Sequence, residues 1–407
     1  MRNNKTERLL HFACYLFFFL TPSESIALFG DNSSFSVTKL SVIFLFITWL
    51  FSKGLSGIKT NGFIKLFGLY FIWAFLTAIT SIDMNQSLNR VFLFLLPLLV
   101  TMITLKSGID NRQVLRNCMI AFILGSFIPV FQLVYFAINP AAALTAEGSM
   151  EERATALGND QNEMSTLICI AISFVFYILQ YTEIVRIKLL LWIFIIVSSV
   201  TVLLTGSRTG AVIAIMVVLG GVLGNKGSIN RKIILIVISI PVFLFLIQRF
   251  VPESNLERLW ETEEQLQTRD MSNRGYIWEK GWDAFSKSGR IIQGVGYDMF
   301  SNLLQNEIGR RAAAHNAYLA TIVELGIVGL FLLLSMMLNA FKSCIKLIRR
   351  NHSFVYLVIL IPPYVAATML SLMYRRWFFI IPLLVCIMND LEIKEQKKTG
   401  SLQIQLQ

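Results

Sequence analysis

Apolar residues fall in long runs broken by short polar stretches, and run length predicts the fold better than any periodicity within the runs. Runs near the length needed to cross about 30 Å of hydrocarbon occupy approximately 9–28, 37–51, 63–81, 91–105, 114–138, 164–181, 187–204, 211–223, 233–250, 317–341, 354–373 and 377–388. They predict an all-α polytopic membrane protein with about 12 transmembrane helices and one sizeable periplasmic helical loop. The expected organisation is helices 1–9 in 1–250, the loop in 251–314, helices 10–12 in 315–390 and a cytoplasmic tail in 391–407. Within the loop, Ser254 is expected to cap a helix bearing Leu256, Leu259, Trp260 and Leu266, and Ser272 a second with Trp278, Trp282 and Phe285 near the face of Arg274.

Composition agrees with this reading. The 407 residues are 55% hydrophobic and only 15% charged, with mean hydropathy +0.63, values outside the range of soluble globular domains. The formal charge of +11 could point to nucleic acid, but the basic residues sit in small clusters between apolar runs, and no nucleic-acid partner is expected. With a cytoplasmic N-terminus, Lys53 with Lys59, Lys106 with Arg112 and Arg116, Arg186 with Lys188, Lys226 with Arg231 and Lys232, and 342–350 all fall in cytoplasmic gaps. Lys394, Lys397 and Lys398 fall there too, so both termini are predicted inside. The start of the chain, basic to Arg8 and apolar to Leu20, resembles a secretory signal without a small-residue cleavage site, and a retained first helix is expected. Five cysteines lie in or beside the runs with no paired spacing, which predicts neither disulfides nor a zinc site.

Basic residues that break the alternation carry the functional information. Arg153, Arg208, the set from Arg249 to Arg311, and Arg375 with Arg376 are placed at the outer face, where short loops avoid positive charge, and so suggest an anionic ligand. Snorkelling at helix ends is the plainer account of the same residues. Thr205-Gly-Ser-Arg-Thr-Gly210 joins two runs with almost no spare chain, and its exposed amides beside Arg208 could form an anion nest, although a tight turn needs no ligand. His315, with Asn316 and Tyr318, stands where a polar loop meets an apolar run. An imidazole there titrates near neutrality and can take a proton from a hydroxyl, or can serve only as an interfacial polar residue. Glu324 lies nine residues beyond His315. On a regular helix the two would point to nearly opposite sides, so Glu324 is expected to be a structural carboxylate facing a neighbouring span, with Gly326 and Gly329 permitting close helix approach. The sequence contains no Asp-x-Asp pair and no Lys-Ser/Thr phosphate loop, and Gly294-Val-Gly296 lacks a strand–helix context, so no cofactor and no metal are expected.

Taken in order, Arg153 to Asn162, the 205–210 turn, Arg274-Gly-Tyr-Ile-Trp278 leading to Gly294-Val-Gly-Tyr297, and His315-Asn-Ala-Tyr318 with Glu324-Leu-Gly-Ile-Val-Gly329 resemble the bacterial O-antigen ligase and polymerase superfamily. The resemblance is detailed in the second half of the chain and is a helix pattern in the first. One departure is Asp160-Gln161-Asn162, where the family commonly carries Pro-Asn. The resemblance implies a metal-independent, inverting glycosyltransferase of the bacterial inner membrane. It would act at the periplasmic face on an undecaprenyl-diphosphate-linked glycan donor, with lipid A-core or another glycan as acceptor. It implies His315 as catalytic base and Arg208 and Arg274 as catalytic cations. Arg153, Asn316, Tyr318, Arg375 and Arg376 stand beside them as candidate substrate-binding residues. The motifs do not separate a ligase from an O-antigen or exopolysaccharide polymerase, and a transporter or flippase without covalent chemistry is the rival class.

Overall fold

The computed structural model describes residues 4–24, 36–139, 160–225 and 274–405, with scattered positions between 237 and 257. The elements are helices, with no strand among the described residues. In chain order they are α1 (Asn4–Leu20), α2 (Val37–Lys53), α3 (Gly62–Ile79), α4 (Met84–Gly108), α5 (Arg112–Ile138), α6 (Gln161–Leu179), α7 (Val185–Leu204), α8 (Arg208–Gly224), α9 (Arg274–Lys287), α10 (Phe300–Ile308), α11 (Ala317–Asn351), α12 (Val355–Ala366) and α13 (Arg376–Gln405). They belong to two compact units. The first comprises 1–48, 111–262 and 346–366, and the second 49–110, 263–345 and 367–407.

The first unit is built around α6, which is buried along its length from Glu163 to Leu179 against α5, α7, α8 and α12. Helices in lipid gain little from apolar burial against one another and associate through close packing, so small residues at their contacts matter. Gly221 of α8 meets the ring of Phe176 so closely that a Cβ would overlap it. The outward faces are apolar instead of polar. Ile215 and Leu223 on α8 and Leu189 and Leu190 on α7 are each about 60% exposed. A large exposed apolar surface of this kind belongs in a bilayer.

In the second unit the rings of Phe67, Tyr70 and Phe379 cluster with centroids 5.2 to 6.2 Å apart. Asn61 caps α3 by accepting from the Ile64 amide at 3.1 Å, and its side-chain nitrogen donates to Asp390, which also pairs with Lys106. Asp83 caps α4 by accepting from the Gln86 amide at 3.0 Å. That cap starts α4 seven residues before the apolar run expected from 91.

Six helices are long and apolar enough to cross a membrane, namely α3 to α7 and α11. The expectation of about twelve is therefore met only in part among the described residues. The run at 211–223 forms α8, only 17 residues long; 233–250 is described only in part, and Arg153, Ser254 and Ser272 lie outside the described residues. The run at 354–373 is not one helix. Pro362 and Pro363 supply no N–H to the carbonyls four residues back, and α12 ends at Ala366. A strap, residues 367–374, non-helical to 371 and closing in a single 3-10 turn, Leu372–Tyr374, then leads into α13. Helix α13 continues to Gln405, through most of the tail expected from 391.

Candidate active site

His315 sits on a ledge just ahead of α11, with φ at 46° in the left-handed region, an uncommon conformation for any side chain other than glycine. Three hydrogen bonds from other segments hold the ledge. The Trp278 indole N–H donates to the Ala314 carbonyl at 2.7 Å, the His315 amide donates to Ser371 Oγ at 2.8 Å, and the Ala317 amide donates to the Ala367 carbonyl at 2.8 Å. Asn316 closes the start of α11, its Oδ1 accepting from the amides of Tyr318 and Leu319 at 3.0 Å each. The first amides of α11 are therefore consumed by the protein itself. A helix N-terminus is ordinarily a ready anion site, but here positive charge for a ligand must come from side chains. Arg274 stands one turn before Trp278 on α9, with Nη1 3.7 Å from Met369 Sδ. The strap 367–374 thus meets Arg274 through Met369 and His315 through Ser371.

The buried stripe of α9 is Ile277, Gly281, Ala284 and Phe285, so Trp282 lies on its flank, 47% exposed and edge-on to Phe285. Gly281 lies so close to the Phe300 ring of α10 that a Cβ would stand 2.7 Å from it.

The regular helix expected through His315 and Glu324 is absent. His315 precedes α11, and α11 breaks at Gly326, where φ is 66° and ψ is −169°. Backbone groups freed by a break inside a membrane must find protein partners, and three carbonyls and one amide here take them from other segments. The carbonyls of Val323 and Glu324 accept from the amides of Val295 at 3.0 Å and Gly296 at 2.9 Å, the Leu325 carbonyl accepts from the Trp73 indole at 2.8 Å, and the Ile327 amide donates to Ile291 at 3.0 Å. Gly294 and Gly326 allow this approach, since a Cβ at either would run into backbone of the other segment. Gly326 thus admits a loop, where close approach of a second helix is expected from sequence. Glu324 is fully buried beneath that loop, accepting from the amides of Asp298 at 2.9 Å and Phe300 at 3.2 Å and from the Tyr374 hydroxyl. Asp298, another left-handed residue at φ 64°, pairs with Arg90 Nε at 2.7 Å. Burial pushes its carboxyl above the ordinary carboxylate range, and Arg90 opposes that push.

Arg208 belongs to the first unit, at the start of α8. Gly206 takes φ 59°, Ser207 caps the helix by accepting from the Gly210 amide at 3.0 Å, and the Ser207 hydroxyl donates to Asn162 Oδ1 at 2.8 Å. Asp160 in turn caps α6, accepting from the amides of Asn162 and Glu163. The departure Asp160-Gln161-Asn162 therefore works as a cap joined to the 205–210 turn, and Arg208 projects from that capped corner half-buried.

Within the second unit the structure brings Arg274, His315, Asn316 and Tyr318 to one end of α11. Arg376 is buried, its guanidinium 5.9 Å from the Phe94 ring centroid, and Arg375 is half-buried. Ser371, Tyr374, Asp298 and Arg90 were not singled out by sequence. Ser371 falls in the apolar run 354–373, which reads as helix, Tyr374 lies just past its end, and Arg90 and Asp298 find each other across 208 positions of chain. No curated protein matches the chain. A family model described as O-antigen ligase matches residues 163–334, which takes in Glu163, the 205–210 turn, the Arg274 helix, the His315 ledge and the break at Gly326. That match, over less than half of the chain, supports a relation to the O-antigen ligase superfamily.

Proposed function

We propose that this membrane protein is a glycosyltransferase that moves a glycan from undecaprenyl diphosphate to an acceptor hydroxyl of lipid A-core at the periplasmic face of the inner membrane, with inversion and without a metal ion. The observation that carries the reading is the joint anchoring of His315 and Arg274 to the strap 367–374, the two residues themselves lying within the stretch that the ligase family model matches. The acceptor hydroxyl gives its proton to His315, and its oxygen attacks the anomeric carbon from the side opposite the diphosphate. The bond from that carbon to the phosphate oxygen breaks, and the electron pair leaves with the lipid diphosphate. The Arg274 guanidinium can hold two of its oxygens as charge develops. The resemblance extends the same role to Arg208. The diphosphate is already a good leaving group, so the chemistry asks only for a base and cations.

The test is transfer by purified protein from a polyprenyl-diphosphate-linked glycan to a core acceptor. His315→Ala should insert and accumulate normally while transfer falls by about 10²–10⁴, the usual contribution of general-base catalysis. Near-normal turnover in that variant removes the base role. Product chains lengthened on the carrier, instead of attached to the core, would replace ligase by polymerase. Movement of the carrier without covalent transfer would replace both by transport.

A further inference from the structure

We propose that Tyr374 and Ser371 are positioning residues for the transfer reaction, acting through the strap 367–374; this rests on the glycosyltransferase reading above. The strap is irregular backbone between α12 and α13, and its polar groups are tied down at each end and between. The Ala367 carbonyl takes the amide that follows the His315 ledge, and Ser371 Oγ takes the amide of His315 itself. The Met373 carbonyl accepts from the Tyr297 hydroxyl at 2.9 Å, and Thr321 Oγ1 lies 2.8 Å from Met373 Sδ. The Tyr374 hydroxyl donates to Glu324, whose other donors come from the loop that fills the break in α11. A side chain three residues from Ser371 is thus fastened to a fully buried acid of this unit. His315 has a left-handed backbone that its own preferences do not enforce, so its orientation depends on what grips the neighbouring amides. Two of those grips are strap atoms, and Arg274 leans on a third at Met369. Tyr374 touches none of the groups assigned to chemistry, and its influence passes through the three residues to Ser371.

Tyr374→Phe removes only the hydroxyl and keeps the ring that packs 5.6 Å from Tyr297; Ser371→Ala removes only the acceptor for His315. Each should lower kcat about tenfold with KM for the lipid-linked donor within about twofold, the scale of one lost orienting hydrogen bond. The double variant should be no worse than the more severe single, because both act through one strap. Ser371→Thr, which restores an acceptor, should recover kcat. A second readout does not depend on catalysis. The chain has three histidines, and in a His11→Gln, His352→Gln background the imidazole resonance of His315 is the sole histidine signal. Both single variants should shift or broaden it. Reduced folded yield with kcat per folded molecule and the His315 resonance unchanged would overturn the proposal. A shifted resonance in protein whose wild type transfers no glycan supports the strap and removes the transferase reading.

Discussion

Replacing Gly326 by alanine tests the accounting at the break in α11. Two costs are separable. The first is conformational, because φ 66° with ψ −169° is a region essentially reserved for glycine, and an alanine held there costs about 1–3 kcal/mol. The second is steric, because the new Cβ would overlap the Ile292 carbonyl and approach the Gln293 amide to 2.8 Å. Those atoms are backbone, and moving them stretches the bonds from Ile327 to Ile291 and from Val295 to Val323, each worth about 0.5–1.5 kcal/mol. Together the loss is about 2–6 kcal/mol, a large share of the roughly 5–15 kcal/mol that holds a typical fold. Gly309 supplies the control, since its φ is 74° but a Cβ there meets nothing within 4 Å. Gly309→Ala should cost about 1–2 kcal/mol, the left-handed penalty alone. The assay is thermal unfolding in detergent, followed by loss of monodisperse protein, for both variants beside wild type. Equal shifts for the two variants would refute the steric part of the argument, and a wild-type midpoint for Gly326→Ala would refute the break itself.

Glu324→Gln should destabilise by about 1–3 kcal/mol, because one amide oxygen cannot replace two acceptor oxygens and the new NH₂ must face either the Asp298 or the Phe300 amide. Glu324→Leu, which loses all three bonds, should give far less folded protein in a fluorescence size-exclusion assay, and equal yields of the two would contradict the cage. Arg274→Lys and Arg208→Lys should each lose activity although the charge is kept, since an ammonium cannot grip two phosphate oxygens in a plane; wild-type kcat/KM in both would assign the arginines to topology alone. Chelation with EDTA should leave transfer unchanged, and loss of activity restored by added divalent ion would contradict metal-independent transfer.

Sequence alone determined the solvent of this protein and offered the residue types proposed for its chemistry. Apolar run length is a sum over many side chains, each contributing its own transfer free energy, so it survives ignorance of neighbours and marks α3 to α7 and α11 as spans. His315 and Arg274 could be chosen for the same reason, since an imidazole and a guanidinium carry their chemistry wherever they are placed. What the sequence could not supply was the backbone of α11 and of 354–373. A hydropathy sum cannot tell a continuous helix from a broken one, because it does not know which amide meets which carbonyl. The break at Gly326 exists only because Trp73, Ile291, Val295 and Gly296 arrive from elsewhere to take the freed groups. The strap likewise reads as membrane helix through 373 until Tyr297, Glu324 and His315 are seen to hold it. Tertiary structure therefore decided that Glu324 anchors a loop and not a helix neighbour, and that the His315 ledge is fixed from a segment 56 residues away. These are partner choices between remote polar groups, and no local propensity encodes them.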